Sequence, residues 1–234
     1  RTMISKGIKK KLLVFVRVPE LGRVKTRLVG RLDQESVLHL YKCFVEDILE
    51  TLSNHGYDIV VCYDPPESRL KMISWLGSSF SFMPQSGASL GDRMKNAFTA
   101  VFSEGVEQAI LIGSDFPDLD VSIIEEAFEG LSTHDLVAGP AVDGGYYLIG
   151  FNAGSFSPKI FHGIPWGTNQ VFDITAALIT KSNLSMHLLP KWQDIDTHDD
   201  LKAFFFRARE KSLTELKTMQ YLNRKRAVLK FEEN

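Results

Sequence analysis

Apolar residues along this chain fall into two alternating kinds of run. Short continuous runs read as buried strands: Leu12–Val16, Tyr57–Tyr63, a brief one near Phe80–Phe82, the run from Ile110 that ends at Asp115, Asp135–Gly139, Tyr146–Ile149 and Leu184–Leu189. Between them lie longer stretches whose apolar residues recur three and four positions apart, the spacing of one helix face. These carry Val37, Tyr41, Phe44, Val45, Ile48 and Leu52, then Leu70, Ile73 and Leu76, then Met94, Ala97, Phe98, Val101 and Phe102, then Ile123, Ile124, Ala127, Phe128 and Leu131. Two more helical stretches run from Thr168 to Lys181 and from Leu201 to Arg209. Asp33 is placed to cap the first helix, Thr168 or Asn169 to cap the fifth, and Asp64-Pro65-Pro66 stops the second strand. Alternation of strand and helix predicts a mostly parallel sheet covered on both faces, a three-layer α/β/α architecture.

The pattern shows no internal repeat, low-complexity tract or linker. It predicts one domain over residues 11–211, a basic N-terminal extension over 1–10 and a C-terminal helical tail over 212–234. The tail starts at Ser212, carries Arg224-Lys225-Arg226 and ends in Glu232-Glu233. It either packs on the surface or offers a face through which two copies form a homodimer.

Composition narrows the picture. With 234 residues, 44% of them hydrophobic and 24% charged, the chain can bury a core of its own. A net charge of −2 argues against a nucleic-acid partner, which calls for a basic field. Cys43 and Cys62 fall on helix and strand patterns and read as buried reduced thiols. Neither Cys-x-x-Cys nor His-Glu-x-x-His occurs, which argues against zinc. The apolar run after the basic start soon meets Arg17, too short for a signal peptide or a membrane span, so the cytoplasm is the expected location. The chain begins on Arg1, and Met3 is a candidate natural start.

Three segments carry chemistry. In Ile110-Leu-Ile-Gly113-Ser-Asp115 the apolar run stops and delivers a carboxylate onto a loop, where open α/β sheets gather ligands. The alternative for Asp115 is a turn cap before Pro117. Asp194 and Asp196, two apart, point to the same side of an extended segment, so one can bind a metal while the other orients it or a water. Capping of the helix through Leu201 is their alternative role. Arg17, Arg23, Lys25, Arg27 and Arg31 crowd the loop after the first strand, where Glu20 is the single acid. The spacing of Gly22 to Lys25-Thr26 is neither a Walker loop nor G-x-G-x-x-G. One flexible residue, nearby cations and a hydroxyl opening toward a helix can still embrace a diphosphate.

These residues sit in longer signatures. Phe15-Val-Arg17-Val-Pro19-Glu-Leu-Gly22-Arg23-Val-Lys25-Thr26-Arg27-Leu28 resembles the opening of a bacterial glycosyltransferase-like family with the GT-A nucleotide-diphospho-sugar transferase fold. The resemblance continues, in order, through Gln85–Met94, Gly113–Leu119, Asp143–Leu148, Trp166–Val171 and Asp194–Thr197. More distantly the chain is similar to the 2-phospholactate and molybdenum-cofactor guanylyltransferases. The resemblance implies a mostly parallel, Rossmann-like sheet of GT-A type, with Pro19, Gly22, Arg23, Lys25, Thr26 and Arg27 on the phosphates of a nucleotide. It implies Asp115 and Asp196 as carboxylates for Mg²⁺ or Mn²⁺, hard cations that prefer oxygen ligands. The chain has Ser114-Asp115-Phe116-Pro117 in place of a literal D-x-D, which leaves the number of metal ligands open. It also lacks the G-x-G-T-R opening of sugar-1-phosphate nucleotidyltransferases, which ranks glycosyl transfer ahead of nucleotidyl transfer.

Secondary candidates each carry a plainer alternative. Gly91 and Arg93 open a helix, where Arg93 can meet an anion or a base edge or simply belong to a capped helix start. Asp143 can contact acceptor hydroxyls or act as their base, with Gly144 and Gly145 letting the acceptor approach the backbone, or the three can form a bare turn. Trp166 can be a platform for a sugar ring or a core residue. His198 is the one histidine placed near an acid of interest. Together these readings predict a metal-dependent transferase with Asp115 and Asp143 as catalytic groups, taking a nucleotide-sugar donor and a small-molecule acceptor. The alternatives are a nucleotidyltransferase that releases pyrophosphate and a nucleotide-sugar-binding protein without turnover.

Overall fold

Order along the chain is β1 (Lys10–Arg17), α1 (Gln34–Asn54), β2 (Ile59–Asp64), α2 (Arg69–Leu76), β3 (Ser81–Pro84), α3 (Leu90–Ser103), β4 (Gln108–Ile112), α4 (Val121–Gly130), β5 (Leu136–Pro140), β6 (Tyr146–Asn152), α5 (Val171–Lys181), β7 (Met186–Leu188), α6 (His198–Glu210) and α7 (Lys217–Leu229). Single turns of 3-10 helix occur at Thr26–Leu28, Ala153–Ser155 and Pro158–Phe161. The structure is a computed structural model and describes residues 7–231, so the expectations for Met3 and for Glu232-Glu233 fall outside it.

The seven strands form one sheet in the order β3-β2-β1-β4-β6-β5-β7. Every pairing is parallel except those that β6 makes with β4 and β5. Leu12 of β1 pairs with Ile59 on one flank and Ile110 on the other. Leu12, Val14 and Val16 pack into a core with α1, α2 and α4, while Leu13 faces a second core with α3 and α5. Burial on both faces is why this strand reads as a continuous apolar run. Strands β1 to β3 step outward in one direction, and β4 returns to the other flank of β1. Loops after β1 and β4 therefore part company at one crevice, the place where open α/β sheets bind ligands.

A bulge shapes the far side of that crevice. Gly139 pairs with Leu148 and Pro140 with Tyr146, leaving Tyr147 as an extra residue of β6. Its ring turns into the first core beside Phe116 and Trp192, at 5.6 and 6.2 Å between centroids, and its hydroxyl donates to the Pro190 carbonyl at 2.9 Å. Gly139 makes room for it, since a Cβ there would lie 2.4 Å from the Tyr147 ring.

A third core lies between α1, α6 and α7. Leu40 and Phe44 meet Phe204, Phe205, Met219, Leu222 and Phe231 in one buried cluster, which also takes in Leu28 and Ile195. The buried carboxylate of Asp47 accepts the backbone N–H groups of Lys217 at 2.8 Å and Thr218 at 2.9 Å, capping α7 from the middle of α1. Burial pushes that carboxyl up, against the pull of its hydrogen bonds. Both cysteines are buried and unpaired, as expected, and burial pushes the Cys43 thiol up to about 12.

Local expectations hold in the main. The Asp33 side chain caps α1 by accepting from the Ser36 N–H at 2.8 Å. Three details differ. Leu70 does not belong to the buried face of α2, being 81% exposed while Met72 is buried. Neither Thr168 nor Asn169 caps α5, which begins at Val171 after Gln170 without a side-chain cap: the Thr168 hydroxyl donates to the Pro165 carbonyl at 2.8 Å and accepts the Gln170 N–H at 3.3 Å, short of the first helical residue. Helix α6 starts at His198, before Leu201, because Thr197 and Asp200 form a capping box. Thr197 thus caps that helix, and Asp194 and Asp196 do not. Among the described residues no helix is long and apolar enough to cross a membrane.

Candidate active site

The loop after β1 is wound around one buried cation. Lys25 takes a left-handed conformation (φ 47°, ψ 41°) just before the turn Thr26–Leu28, whose Leu28 is anchored in the third core. The Lys25 side chain is only 5% exposed, and its Nζ lies 2.9 Å from Asp115 Oδ1 and 2.6 Å from Asp196 Oδ1. Burial by itself lowers the pKa of such an ammonium, but the two carboxylates outweigh it and hold the group above its ordinary value. Arg27 is 74% exposed, with Nη1 4.0 Å from Asp196 Oδ2.

Backbone pairing brings the acids together. Asp115 follows β4 through Gly113 and Ser114. Asp196 lies on a segment that pairs with the end of β5, through Trp192 N–H to the Pro140 carbonyl at 3.1 Å and Val142 N–H to the Trp192 carbonyl at 3.0 Å. Ile195, between Asp194 and Asp196, is buried in the third core, and the two acids lie close enough for Asp194 to feel the charge of Asp196. Burial pushes the Asp194 carboxyl up to about 6, helped by the charges of Asp143 and Asp196.

Lys25 and Asp115 stand on the wall of a cleft of about 650 Å³ at the β1–β4 crevice, a size that suits a nucleotide. Of the residues expected at the site, Arg23, Lys25, Thr26, Arg27, Arg93, Asp115 and Asp196 share this cleft. Arg93 is held by Asp64, with Nη1 3.0 Å from Oδ2, and its Nε donates to the Gly87 carbonyl at 3.3 Å. Pro19 lies elsewhere, in a neighbouring hollow with Trp75. Gly22 has φ +70° and backs onto the Gln34 side chain. Gly91 is covered by Trp166, whose indole would lie 2.7 Å from a Cβ there, so packing explains the glycine.

The structure does not bring Asp143, Gly144, Gly145 or Trp166 to the wall of that cleft. Asp143 Oδ1 accepts the Gly145 N–H at 2.9 Å within its own turn. Gly144 has φ +93°, and a Cβ there would meet the Asn169 carbonyl oxygen at 2.1 Å. The turn is locked to the following segment by the Phe172 N–H, which donates to the Gly144 carbonyl at 2.8 Å. Trp166 packs edge-on to Tyr146, 6.3 Å between centroids. His198 meets the Leu229 carbonyl through Nε2 at 3.1 Å and so faces the C-terminal helix.

Sequence reasoning passed over two cleft residues. Asp64 ends β2 as an acid after an apolar run, the same signal that marks Asp115. Gln85 is buried just after β3 and donates to the Cys62 carbonyl at 2.8 Å, a contact no local pattern announces. Among the described residues no group of three or more His, Cys, Asp or Glu is arranged to hold a metal ion. Asp115 and Asp196 nevertheless converge on one point that holds positive charge. Two carboxylates with substrate phosphates are a donor set that Mg²⁺ commonly uses, so these residues fit such a cation.

Comparison with known proteins gives the chain a family and a fold. The family described as "Uncharacterized protein conserved in bacteria (DUF2064)" matches residues 48–168. A "putative nucleotide-diphospho-sugar transferase" from Desulfovibrio desulfuricans G20 is 36% identical, covering 97% of this chain and 100% of that one, with a TM-score of 0.92. A nucleotidyl transferase from Methanothermobacter is 12% identical over 88% of this chain and 99% of that one, at a TM-score of 0.58. A cytidylyltransferase from Leptospira borgpetersenii is 12% identical over 97% and 99%, at 0.55. At that identity the last two share the fold alone. No curated protein matches the sequence. The chain therefore belongs to the bacterial family DUF2064 and has the fold of the nucleotide-diphospho-sugar transferases.

Proposed function

We propose that this protein is a metal-dependent transferase that takes a nucleotide-diphosphate-sugar donor and moves its glycosyl group to a small acceptor. One observation carries the reading: Lys25 on the β1 loop meets Asp115 and Asp196, from loops far apart in sequence, in a nucleotide-sized cleft at the sheet's switch point. Asp115 and Asp196 are the residues that would hold Mg²⁺ or Mn²⁺, which when bound supplies Lewis-acid stabilisation of the diphosphate. Arg23, Lys25 and Arg27 gather the phosphates and offset the charge that builds on the departing diphosphate. Arg93, steadied by Asp64, stands farther along the same cleft beside Gln85, where a base edge would lie.

The acceptor belongs on the side of the acids where Asp194 feels the charge of Asp143. Asp143 is the proposed acceptor base, with Gly145 beside it on the same turn.

A thermal-shift screen of nucleotides and nucleotide sugars, with and without Mn²⁺, tests the reading, since a ligand that binds only the native state raises apparent stability. A hit that needs Mn²⁺, followed by release of nucleoside diphosphate with an acceptor, supports it. Release of pyrophosphate from a triphosphate assigns nucleotidyl transfer instead, and donor binding without turnover assigns a binding protein. No stabilisation by any nucleotide overturns the proposal.

A further inference from the structure

The carboxylates fitted to a cation are already engaged, and by the same lysine that the proposed reaction needs for phosphates. One Nζ contacts both Asp115 and Asp196, at 2.9 and 2.6 Å, from a side chain almost wholly removed from solvent. A divalent cation drawn to those two oxygens must meet an ammonium in the same place. Resting on the donor reading above, we propose that Lys25 is an internal competitor for the cation. Its ammonium occupies the position between the two acids until a diphosphate draws it away, so the cation enters with the phosphate-bearing ligand and not before it.

The simplest rival is a structural ion pair that merely pins the loop. The loop is pinned without it: Val24 and Leu28 are buried in two separate cores, and the Arg23 N–H donates to the Glu20 carbonyl at 3.0 Å. The acidic loops are joined independently by the Ile195 N–H, which donates to the Asp115 carbonyl at 3.1 Å. Arg23 and Arg27 stand at the cleft wall on the same loop and can meet an arriving diphosphate first. Binding free energies are reciprocal, so if the diphosphate lifts Lys25 off the acids it raises cation affinity by the factor that the cation raises its own.

The test measures Mn²⁺ binding alone, by electron paramagnetic resonance of the free ion, on the full chain and on Lys25→Met. Lys25→Met is expected to bind Mn²⁺ about tenfold or more tightly than the natural protein, within the usual range for coupled sites. Adding Asp115→Asn to Lys25→Met is expected to abolish the gain, which locates the ion. Inorganic pyrophosphate is expected to raise Mn²⁺ affinity more in the natural protein than in Lys25→Met. A folded Lys25→Met that binds Mn²⁺ no more tightly overturns the proposal. If Lys25→Met does not fold, Lys25→Gln takes its place with the same outcomes. The ammonium resonance of ¹⁵N-labelled Lys25 decides independently: it shifts when Mg²⁺ and pyrophosphate are added together, and an unmoved signal overturns the proposal. Because only Mn²⁺, Mg²⁺ and pyrophosphate are used, failure of every nucleotide to bind would sink the donor reading and leave this result standing.

Discussion

The backbone N–H of Ile195 donates to the carbonyl of Asp115 at 3.1 Å, joining the loop after β4 to the segment before α6. This bond holds the two acidic loops together whatever their side chains do. Asp115→Asn should therefore keep the two loops joined and fold, with a melting temperature lowered by the loss of one of the two charges that offset burial of the Lys25 ammonium. Removing one partner of a close charge pair costs about 2–5 kcal/mol in binding, so Mn²⁺-dependent nucleotide affinity should fall by about 30-fold or more. Isothermal calorimetry with Mn²⁺ checks this, and unchanged affinity removes Asp115 from the site.

Asp194 makes stability depend on pH in a definite direction. Its folded pKa of about 6 lies above the ordinary 3.8, so the folded state binds this proton more tightly than the unfolded chain does. The contribution is present below 3.8 and is lost as pH rises through 6. Asp194→Asn lacks the titration, so its melting temperature relative to the natural protein should climb as pH rises between those values and then level off. Melts in EDTA across that range measure it; a pH-independent difference contradicts it.

Gly144 and Gly154 should respond unequally to the same change. Gly144→Ala places a Cβ 2.1 Å from the Asn169 carbonyl oxygen at φ +93°, whereas Gly154→Ala meets nothing within 4 Å. A residue forced into sparsely populated backbone costs about 1–3 kcal/mol, or about 2–12 °C of melting temperature for a chain of this size. The Gly154 variant should melt within about 2 °C of the natural protein, consistent with a surface change of under about 0.5 kcal/mol. Equal melts for both would remove the steric lock on the Asp143 turn.

Leu222→Ala should destabilise by about 2–5 kcal/mol as a core truncation. The same cluster holds Leu28, three residues after Lys25, and Ile195, next to Asp196. Nucleotide affinity should fall with stability in this variant. Leu70→Ala, at an exposed position, should change neither. Denaturant titration paired with calorimetry separates the two cases.

Sheet and helices were legible because their signals are local. An apolar run cut off by Gly113-Ser114-Asp115 announces both a strand and a loop at its carboxyl end, and Asp33 announces the start of α1. The Thr197–Asp200 box was also present in the sequence, but Asp194 and Asp196 just before it carry the same local capping signal. Contacts between distant segments left no such mark. Nothing near Lys25 indicates that its amine is shared by Asp115 and Asp196, and nothing near Gly91 indicates Trp166. Asp47 sits between Val45 and Ile48 on an apolar helix face, an anomaly that hints at a buried partner without saying that the partner is the start of α7. Arg207 is similar: its Nε donates to buried Asp118 at 2.7 Å across a gap that only the fold closes.

The left-handed backbone at Lys25 sets comfort against purpose at one position. A residue with a side chain gives up about 1–2 kcal/mol there that glycine would keep. The most relaxed version of this loop would have no amine, and an attempt to stabilise the protein by easing its turns would choose to silence it first.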